Sequence, residues 1–405
     1  MILSVAWRNI WRNKVRSIVV ITAITLGICA GVFSTAFFKG MAEQRIKKVI
    51  ETETSHIQIH HPDFRQSTDI SSFIPDAHNI SGNIRQIPHV LGVSNRIVVF
   101  SMVASAETAN GVKIVGVEPN DEMQVTNLSA RIVDGAYFEG IRKNPVVIGK
   151  KLADKLNVKI RSKVVITLQD MDKTITAGAF RIAGIYDTDN FAFDEVNIFI
   201  RYSDMARLLS FPENACHEMA IRVSDADFTQ EVQQSVKPLI PDLEVLSWTE
   251  LSPEMKYLTE AMDIYMNIFI IIILLALLFG IINTMLMVVL ERVKEIGMLM
   301  AIGMNKLKVF SMIILETVFL SLTGGVIGVL SGGLISKYFE THAISLSMWR
   351  EGYVELGYDP FVYTDLELSL MINTTLLVIL TGVIAALYPA YKALRNDPAE
   401  ALRIE

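Results

Sequence analysis

The sequence predicts an α-helical integral membrane protein, with four transmembrane helices and an α+β extracytoplasmic domain of two lobes. Three observations predict it. The chain is 51% hydrophobic with a mean hydropathy of +0.39, more apolar than a water-soluble protein needs. The apolar excess is gathered into four blocks, as bilayer spans are. The stretch from Gly40 to Met262 reads instead as ordinary globular sequence, long enough for one domain of two lobes.

The first span is expected over 17–38, preceded by an amphipathic N-terminal segment over 1–16. At about 1.5 Å per residue it crosses the roughly 30 Å hydrocarbon core. A cleaved signal peptide is the rival reading. The run is longer than the about 7–15 apolar residues of such peptides, and no small-x-small site closes it. Ile28 also stands where a lipoprotein-type cleavage before Cys29 would want a small residue, so an uncleaved anchor is expected. The second span is placed at 264–290, the third at 309–336, and the fourth at 368–389, ending at Pro389.

Basic residues in the short connections set the orientation. Arg8, Arg12, Lys14 and Arg16 precede the first span without an acid among them, and Arg292, Lys294, Lys306 and Lys308 lie in the 291–308 loop. The 337–367 loop is mainly acidic, with Glu340, Glu351, Glu355, Asp359, Asp365 and Glu367. Both termini, including the 390–405 tail, and the 291–308 loop are therefore expected in the cytoplasm, and the 39–263 domain outside it.

Within that domain, Ser55 to His60 alternates like a strand, and strand patterns recur at Asn95 to Ala104 and Val112 to Val117. Glu218 to Val223, Phe228 to Leu239 and Leu243 to Ser247 read strand, helix, strand. These place one lobe at about 50–119 plus 205–250, and a strand-rich second lobe at about 120–204. Leu251, Met255, Leu258, Met262 and Tyr265 alternate four and three apart, a heptad seam. It reads either as packing on the lobe or as a helical stalk. The helices of spans one and two are taken as the only covalent links between membrane and domain.

Several chemistries are excluded. There is no G-x-x-x-x-G-K-S/T phosphate loop, no H-E-x-x-H, no C-x-x-C and no G-x-S-x-G, so no catalytic residue is assigned. His56, His60 and His61 are too few for a metal site, and none is expected. The net charge of -6, without a basic stripe, argues against nucleic acid. Cys29 and Cys216 fall in different compartments and should not pair.

The most informative stretch is MLMVVLERVKEIGMLMAIGMNKLKVF, Met285 to Phe310. It turns charged at Glu291 and apolar again within a few residues, too short and polar to span but suited to an amphipathic helix at the membrane surface. Met298, Met300 and Met304 offer adaptable apolar contacts. An inert interfacial helix is the plain alternative. In the third span Gly324, Gly328 and Gly332 form a close-packing row, within the subunit or between subunits. Glu316 is an intramembrane carboxylate, and either reaches the interface or a partner on the loop helix, or serves function directly.

ERVKEIGMLMAIGM resembles the E-R-x-x-E-I-G signature, followed by A-x-G, of the MacB/FtsX-type (type VII) ABC transporter permeases. AWRNIWRNKVRS (Ala6 to Ser17), YPAYKALRNDPAEALR (Tyr388 to Arg403) and the one-plus-three order of spans fit the same family. The resemblance implies that the lobes are porter- and sabre-like. It also implies that Glu291, Arg292, Glu295, Ile296, Gly297, Met298, Ala301 and Gly303 belong to a coupling helix. This helix would dock on a separate cytoplasmic ATPase that binds ATP and Mg, leaving this chain without a cofactor. Glu291 and Arg292 would make polar contacts, and Ile296 and Met298 would lie on the docked face. A second permease, identical or paralogous, is implied as partner.

Length and topology are most similar to the lipoprotein-releasing permeases, whose cargo passes from the inner membrane to a periplasmic carrier. In that reading Phe33, Phe37, Met266 and Phe269 line a substrate entry between spans one and two, or simply pack. Export of peptides or antibiotics with a periplasmic adaptor, regulation of a cell-wall hydrolase, and a passive scaffold are the alternatives.

Overall fold

The computed structural model describes residues 2–395, without the side chains of Ile2, Thr259, Asp263, Ala301, Glu351 and Arg395. The end of the tail, and with it most of the motif after Pro389, lies outside the described residues. Two compact units emerge. One holds the residues up to Glu43, Thr259–Ser345 and those from Phe361 on, and the other Gln44–Leu258 with Leu346–Pro360.

The first unit is helical. Among the described residues four helices are long and apolar enough to cross a membrane: Leu3–Thr54, Pro253–Glu291, Lys306–Phe339 and Leu368–Leu394. Each overruns the span predicted for it. The fourth was expected to end at Pro389, yet the helix continues to Arg395 with the proline inside it. Ala385, Ala386 and Ala390 around it are completely buried. Packing by neighbouring helices holds a helix through a proline that would end one in water.

Glycines on two faces let the third span lie close to two neighbours. A Cβ at Gly324 would fall 2.9 Å from Ile24 Cβ, at Gly328 2.9 Å from Ile28 Cβ, and at Gly332 2.9 Å from the Cys29 carbonyl. The row thus packs on the first span of the same chain, and the Thr25 hydroxyl donates to the Gly324 carbonyl at 3.1 Å. Gly325 and Gly333 face the fourth span, where a Cβ would meet Val378 at 2.6 Å and Met371 at 3.0 Å. Without water to expel, such contact is what holds apolar helices together.

The second unit is built on ten strands: β1 (Ile57–His60), β2 (Val90–Ala104), β3 (Ala109–Val117), β4 (Ile132–Gly135), β5 (Pro145–Gly149), β6 (Lys163–Gln169), β7 (Ile175–Tyr186), β8 (Asn197–Arg201), β9 (Glu218–Val223) and β10 (Glu244–Ser247). Their order is β10-β1-β9-β2-β3-β8-β5-β7-β4, with β6 joining β2 and β7. β2 serves two sheets. Residues 90–96 pair with β9, and 97–104 pair with β3.

Each half has its own apolar core. Ile57, Ile59, Val93 and Ile221 fill one, and Ile97, Ile114, Ile148 and Ile200 fill the other. The division differs from the predicted one. β3 and the helix Tyr202–Leu209 were assigned to the first lobe, but β3 pairs in parallel with β8, and Met205 and Leu209 pack in the second core. A parallel partner distant in sequence leaves no signature in the strand itself.

The acidic 337–367 loop also differs from expectation. Its middle, Leu346–Pro360, belongs to the unit of the large domain. A two-residue ladder, Ile344↔Val362 and Ser345↔Phe361, closes this excursion at its base. Arg350 bonds to Asp189 at 3.0 Å, and Arg45 donates to the Gly357 carbonyl at 2.8 Å. Spans one and two are therefore not the only covalent connections to the domain. The heptad seam is only partly buried: Leu251, Met255 and Met262 are half-buried, while Leu258 is 46% and Tyr265 64% exposed.

Arg96 stands where β2 leaves one sheet for the other. Its guanidinium donates to Glu122 at 2.9 and 2.7 Å and to Glu218 at 2.6 Å, and all three side chains are buried. The guanidinium and the nearby Lys113 overcome burial and hold the Glu218 carboxyl at about 2. Burial pushes His56 and His217 down to about 4, and Asp194 up to about 7.

The signs follow from linkage. Glu218 is depressed in the folded state, so its contribution is complete above the unfolded value and is lost as pH falls toward 2. The two histidines, also depressed, favour folding above their unfolded value and lose that contribution as pH falls from there toward 4. Asp194 acts oppositely, its contribution being lost as pH rises through about 7.

Two outcomes are expected. Protection factors in β1, β2 and β9 of the solubilised chain, with the pH dependence of intrinsic exchange divided out, should fall as pH drops from neutrality toward 4, because two histidines outweigh Asp194. Arg96→Met, which strands two buried carboxylates, should cost about 3–5 kcal/mol. For the helical unit, Gly328→Leu should lower stability by about 1–3 kcal/mol through overpacking. Gly280→Leu, on the second span where a Cβ meets nothing within 4 Å, should leave the thermal midpoint unchanged.

Candidate functional site

The connection between the second and third spans is shaped by local sequence. The helix Pro253–Glu291 stops, Arg292 leaves helical geometry, and the short helix Val293–Ala301 follows. Gly303 ends it at φ +98°, a left-handed conformation that glycine adopts without strain. The Gly303 amide donates to the Met300 carbonyl and the Met304 amide to the Leu299 carbonyl, a Schellman closure. The Asn305 side chain then accepts from the Leu307 amide at 3.1 Å and caps the third span.

A ladder of charges brackets this short helix. Arg16 grips Glu291 with both guanidinium nitrogens, at 2.6 and 2.7 Å, and Arg12 grips Glu295 in the same two-pronged way. Arg292 donates to Glu295 at 3.1 Å and to both oxygens of Glu316 at 3.2 Å. Glu316 is only 5% exposed. The ladder surrounds a cavity of ≈ 290 Å³ lined by Asn9, Arg12, Arg16, Glu291, Arg292 and Glu316 among others. Trp7, on the helix Ile2–Ile10, packs edge-on against Phe319 at 5.8 Å.

The predicted coupling residues thus divide. Glu291, Arg292 and Glu295 bind the N-terminal segment and the third span of their own chain. Ile296, expected on a docked face, is 5% exposed and packs in the helical core. It stands two positions before Met298, and at about 100° per residue the two side chains point in nearly opposite directions. Gly297 is buried as well. Met300 and Met304 pack against the same core.

The outward ridge is formed by Met298, Ile302 and Leu307, exposed 48%, 85% and 69%, beside the exposed Lys294. Ile302 and Leu307 were not singled out from the sequence. The four-residue step from Met298 to Ile302 and the five-residue step on to Leu307 were the available signal. Ala301 ends the helix, and its side chain lies outside the described residues.

Of the proposed entry residues, Phe33 and Phe37 lie together, with ring centroids 6.4 Å apart; Phe33 also packs on Phe339 of the third span, at 5.9 Å, and Phe37 on Phe38. Phe269 is 38% exposed and Met266 half-buried on the second span. No metal-holding group of three or more His, Cys, Asp or Glu occurs among the described residues. His56 and His217 each accept a backbone amide, from Val223 and Val98.

One span, a mixed α/β domain, then three spans enclosing a bracketed amphipathic helix define a membrane permease. The chain belongs to the MacB/FtsX-like permeases of ABC transporters: the MacB-like periplasmic core domain matches residues 17–239, and the FtsX-like permease C-terminal domain residues 267–398. It is 25% identical to an uncharacterized ABC transporter permease of Methanocaldococcus jannaschii, over 100% of this chain and 98% of the relative. The lipoprotein-releasing system transmembrane protein LolC of Neisseria meningitidis is 24% identical over 96% and 94% of the two chains. The macrolide export ATP-binding/permease protein MacB of Salmonella typhi is 24% identical, and this chain spans 60% of its length.

The ladder predicts a charge-swap result. Arg16→Glu should free the N-terminal segment, seen as faster hydrogen exchange over residues 2–13. Adding Glu291→Arg should restore much of the protection, whereas Glu291→Arg alone should not.

Proposed function

We propose that this chain relays the motion of a separate cytoplasmic ABC ATPase, which binds ATP and Mg, across the inner membrane to its large domain. In this reading both termini and the 291–308 loop face the cytoplasm, the large domain is periplasmic, and two permeases, identical or paralogous, work as a pair. The observation that carries it is the exposure of three apolar side chains along the 291–308 connection, Met298 on the short helix, Ile302 at its C-cap and Leu307 in the first turn of the third span, while the opposite side of the short helix is fixed.

An exposed apolar row needs a partner surface, and a bracketed helix passes a push onward instead of absorbing it. Arg12 and Arg16 carry the push into the first span, and Arg292–Glu316 into the third.

The cargo we propose is a lipoprotein or another lipid-like molecule, taken from the inner membrane toward a periplasmic carrier. The likeness to LolC along nearly the whole of both chains supports it. Export of a peptide or antibiotic through a periplasmic adaptor is the second reading, supported by the likeness to MacB over this entire chain.

The test is co-purification with the candidate ATPase, followed by turnover assays. Met298→Asp combined with Ile302→Asp should abolish assembly. Glu291→Ala, Arg292→Ala and Gly297→Trp should assemble but lose coupled turnover. Wild-type assembly by the ridge variant would remove the docking reading. Release of an acylated lipoprotein from proteoliposomes on ATP addition, without transport of a macrolide, would separate the two cargoes.

A further inference from the structure

We infer that the N-terminal helix carries a binding surface for an anionic phospholipid, with Leu3, Trp7 and Trp11 against its acyl chains and Arg8 and Lys14 on its phosphate. The helix Ile2–Ile10 does not run straight on into the first span. The Ser17 hydroxyl donates to the Ile10 carbonyl at 2.5 Å, whereas the same residues in a straight helix would stand about 10 Å apart. The chain therefore doubles back around the tight turn Trp11–Asn13 and lays the short helix beside the third span. Ala6 and Ile10 are buried on that side, at 0% and 2% exposure.

Depth along the third span decides what the other side meets. Trp7 packs edge-on against Phe319 at 5.8 Å. From Lys306, where that helix begins, to Phe319 is about 20 Å of helix. Phe319 also lies about one turn past Glu316, the innermost group of the charge ladder. Trp7 therefore sits on the apolar side of the charged layer, the depth that tryptophan favours in a bilayer. Yet Leu3, Trp7 and Trp11 are 59%, 44% and 40% exposed. Val15, Ile18 and Val19, also exposed, carry the apolar surface on into the first span. A face continuous with the lipid-facing side of a span, at this depth, is covered by lipid.

Charge identifies the headgroup. No acid precedes Glu43 in the chain. Between residues 264 and 336 the carboxylates are Glu291, Glu295 and Glu316. Arg16 takes the first, Arg12 and Arg292 the second, and Arg292 the third. Arg8 and Lys14, both exposed, form no ion pair among the described residues. Their long stems can follow the apolar face while their heads stay at the level of the phosphates, and guanidinium and ammonium both suit phosphate. The inference rests on the spans crossing a bilayer and not on the ATPase relay. The segment seated on the lipid is also the one that holds Glu291 and Glu295.

The test uses the full chain in phosphatidylcholine nanodiscs. One disc holds phosphatidylglycerol brominated on its acyl chains and diluted in plain phosphatidylcholine. The other holds brominated phosphatidylcholine at the same dilution. Quenching of Trp7 and Trp11 is isolated by subtracting the signal of a Trp7→Phe, Trp11→Phe variant. The brominated phosphatidylglycerol should show about fivefold higher relative affinity, the contribution of one cation near a charged surface.

Arg8→Gln with Lys14→Gln should bring that ratio to about one, whereas Arg8→Lys with Lys14→Arg should keep it. An unchanged thermal midpoint in the glutamine pair excludes misfolding. Equal quenching by the two lipids, or a preference that survives the glutamine pair, overturns the headgroup assignment. Quenching by acrylamide from solution but by neither lipid puts the face in water, and quenching by none of the three puts a protein partner over it. Either result overturns the site.

Discussion

Arg292 donates to both carboxylate oxygens of Glu316, and the arrangement of the basic end depends on that pair. A carboxylate within an apolar helix is costly unless a cation meets it. Arg292 meets it from the head of the loop helix, and so fixes where that helix starts. Glu295, one turn further on, is shared between Arg292 and Arg12. Glu291 then falls within reach of Arg16. Each charge is held by one on another segment, so the N-terminal helix, the loop and the third span form one block. The outward ridge is what remains when the polar side of the helix has been used up internally.

This block was legible in part. The amphipathic character of the loop, its glycine end and its place between two spans all stand in the periodicity of residues 285–310. Local patterns read with equal success in the large domain: Glu218–Val223 is the strand expected there, and Ile57–His60 and Glu244–Ser247 fall on stretches read as strands. What the sequence withheld was partnership. Arg12 and Arg16 are legible as positive charges and serve an orientation argument, but nothing local says that they reach Glu295 and Glu291 nearly three hundred residues away. For the same reason Ile296 looked like a docking residue: an apolar side chain on an amphipathic helix does not say which of two apolar surroundings it faces.

The division of the large domain was hidden by a similar cause. β2 is one continuous run of strand-forming residues, and continuity suggests one sheet. It crosses between two because its partners change at Arg96, from β9 to β3. The crossing places three charged side chains where neither core can supply water. Arg96 is shared by a carboxylate from a helix, Glu122, and one from a strand, Glu218, so the helix Pro119–Val125 and β9 are tied to β2 by one guanidinium just where β2 leaves the first sheet. β2 itself, paired on both sides of Arg96, runs unbroken through the two halves and joins them into one lever.

How that lever is driven depends on how many times the chain enters it. With helices from spans one and two alone, a large domain could swivel on two connections. The excursion Leu346–Pro360 adds an entry and an exit from spans three and four, so the chain passes between the units at four points: after Glu43, Leu258, Ser345 and Pro360. Inside the domain's unit, Asp189 receives Arg350 of the excursion through its carboxylate and Lys48 of the first helix through its carbonyl. One residue thus gathers segments continuous with the first span and with the third–fourth pair. Those are also the spans that the ladder and the glycine row join within the helical unit, so each unit by itself bonds the same chain segments to one another.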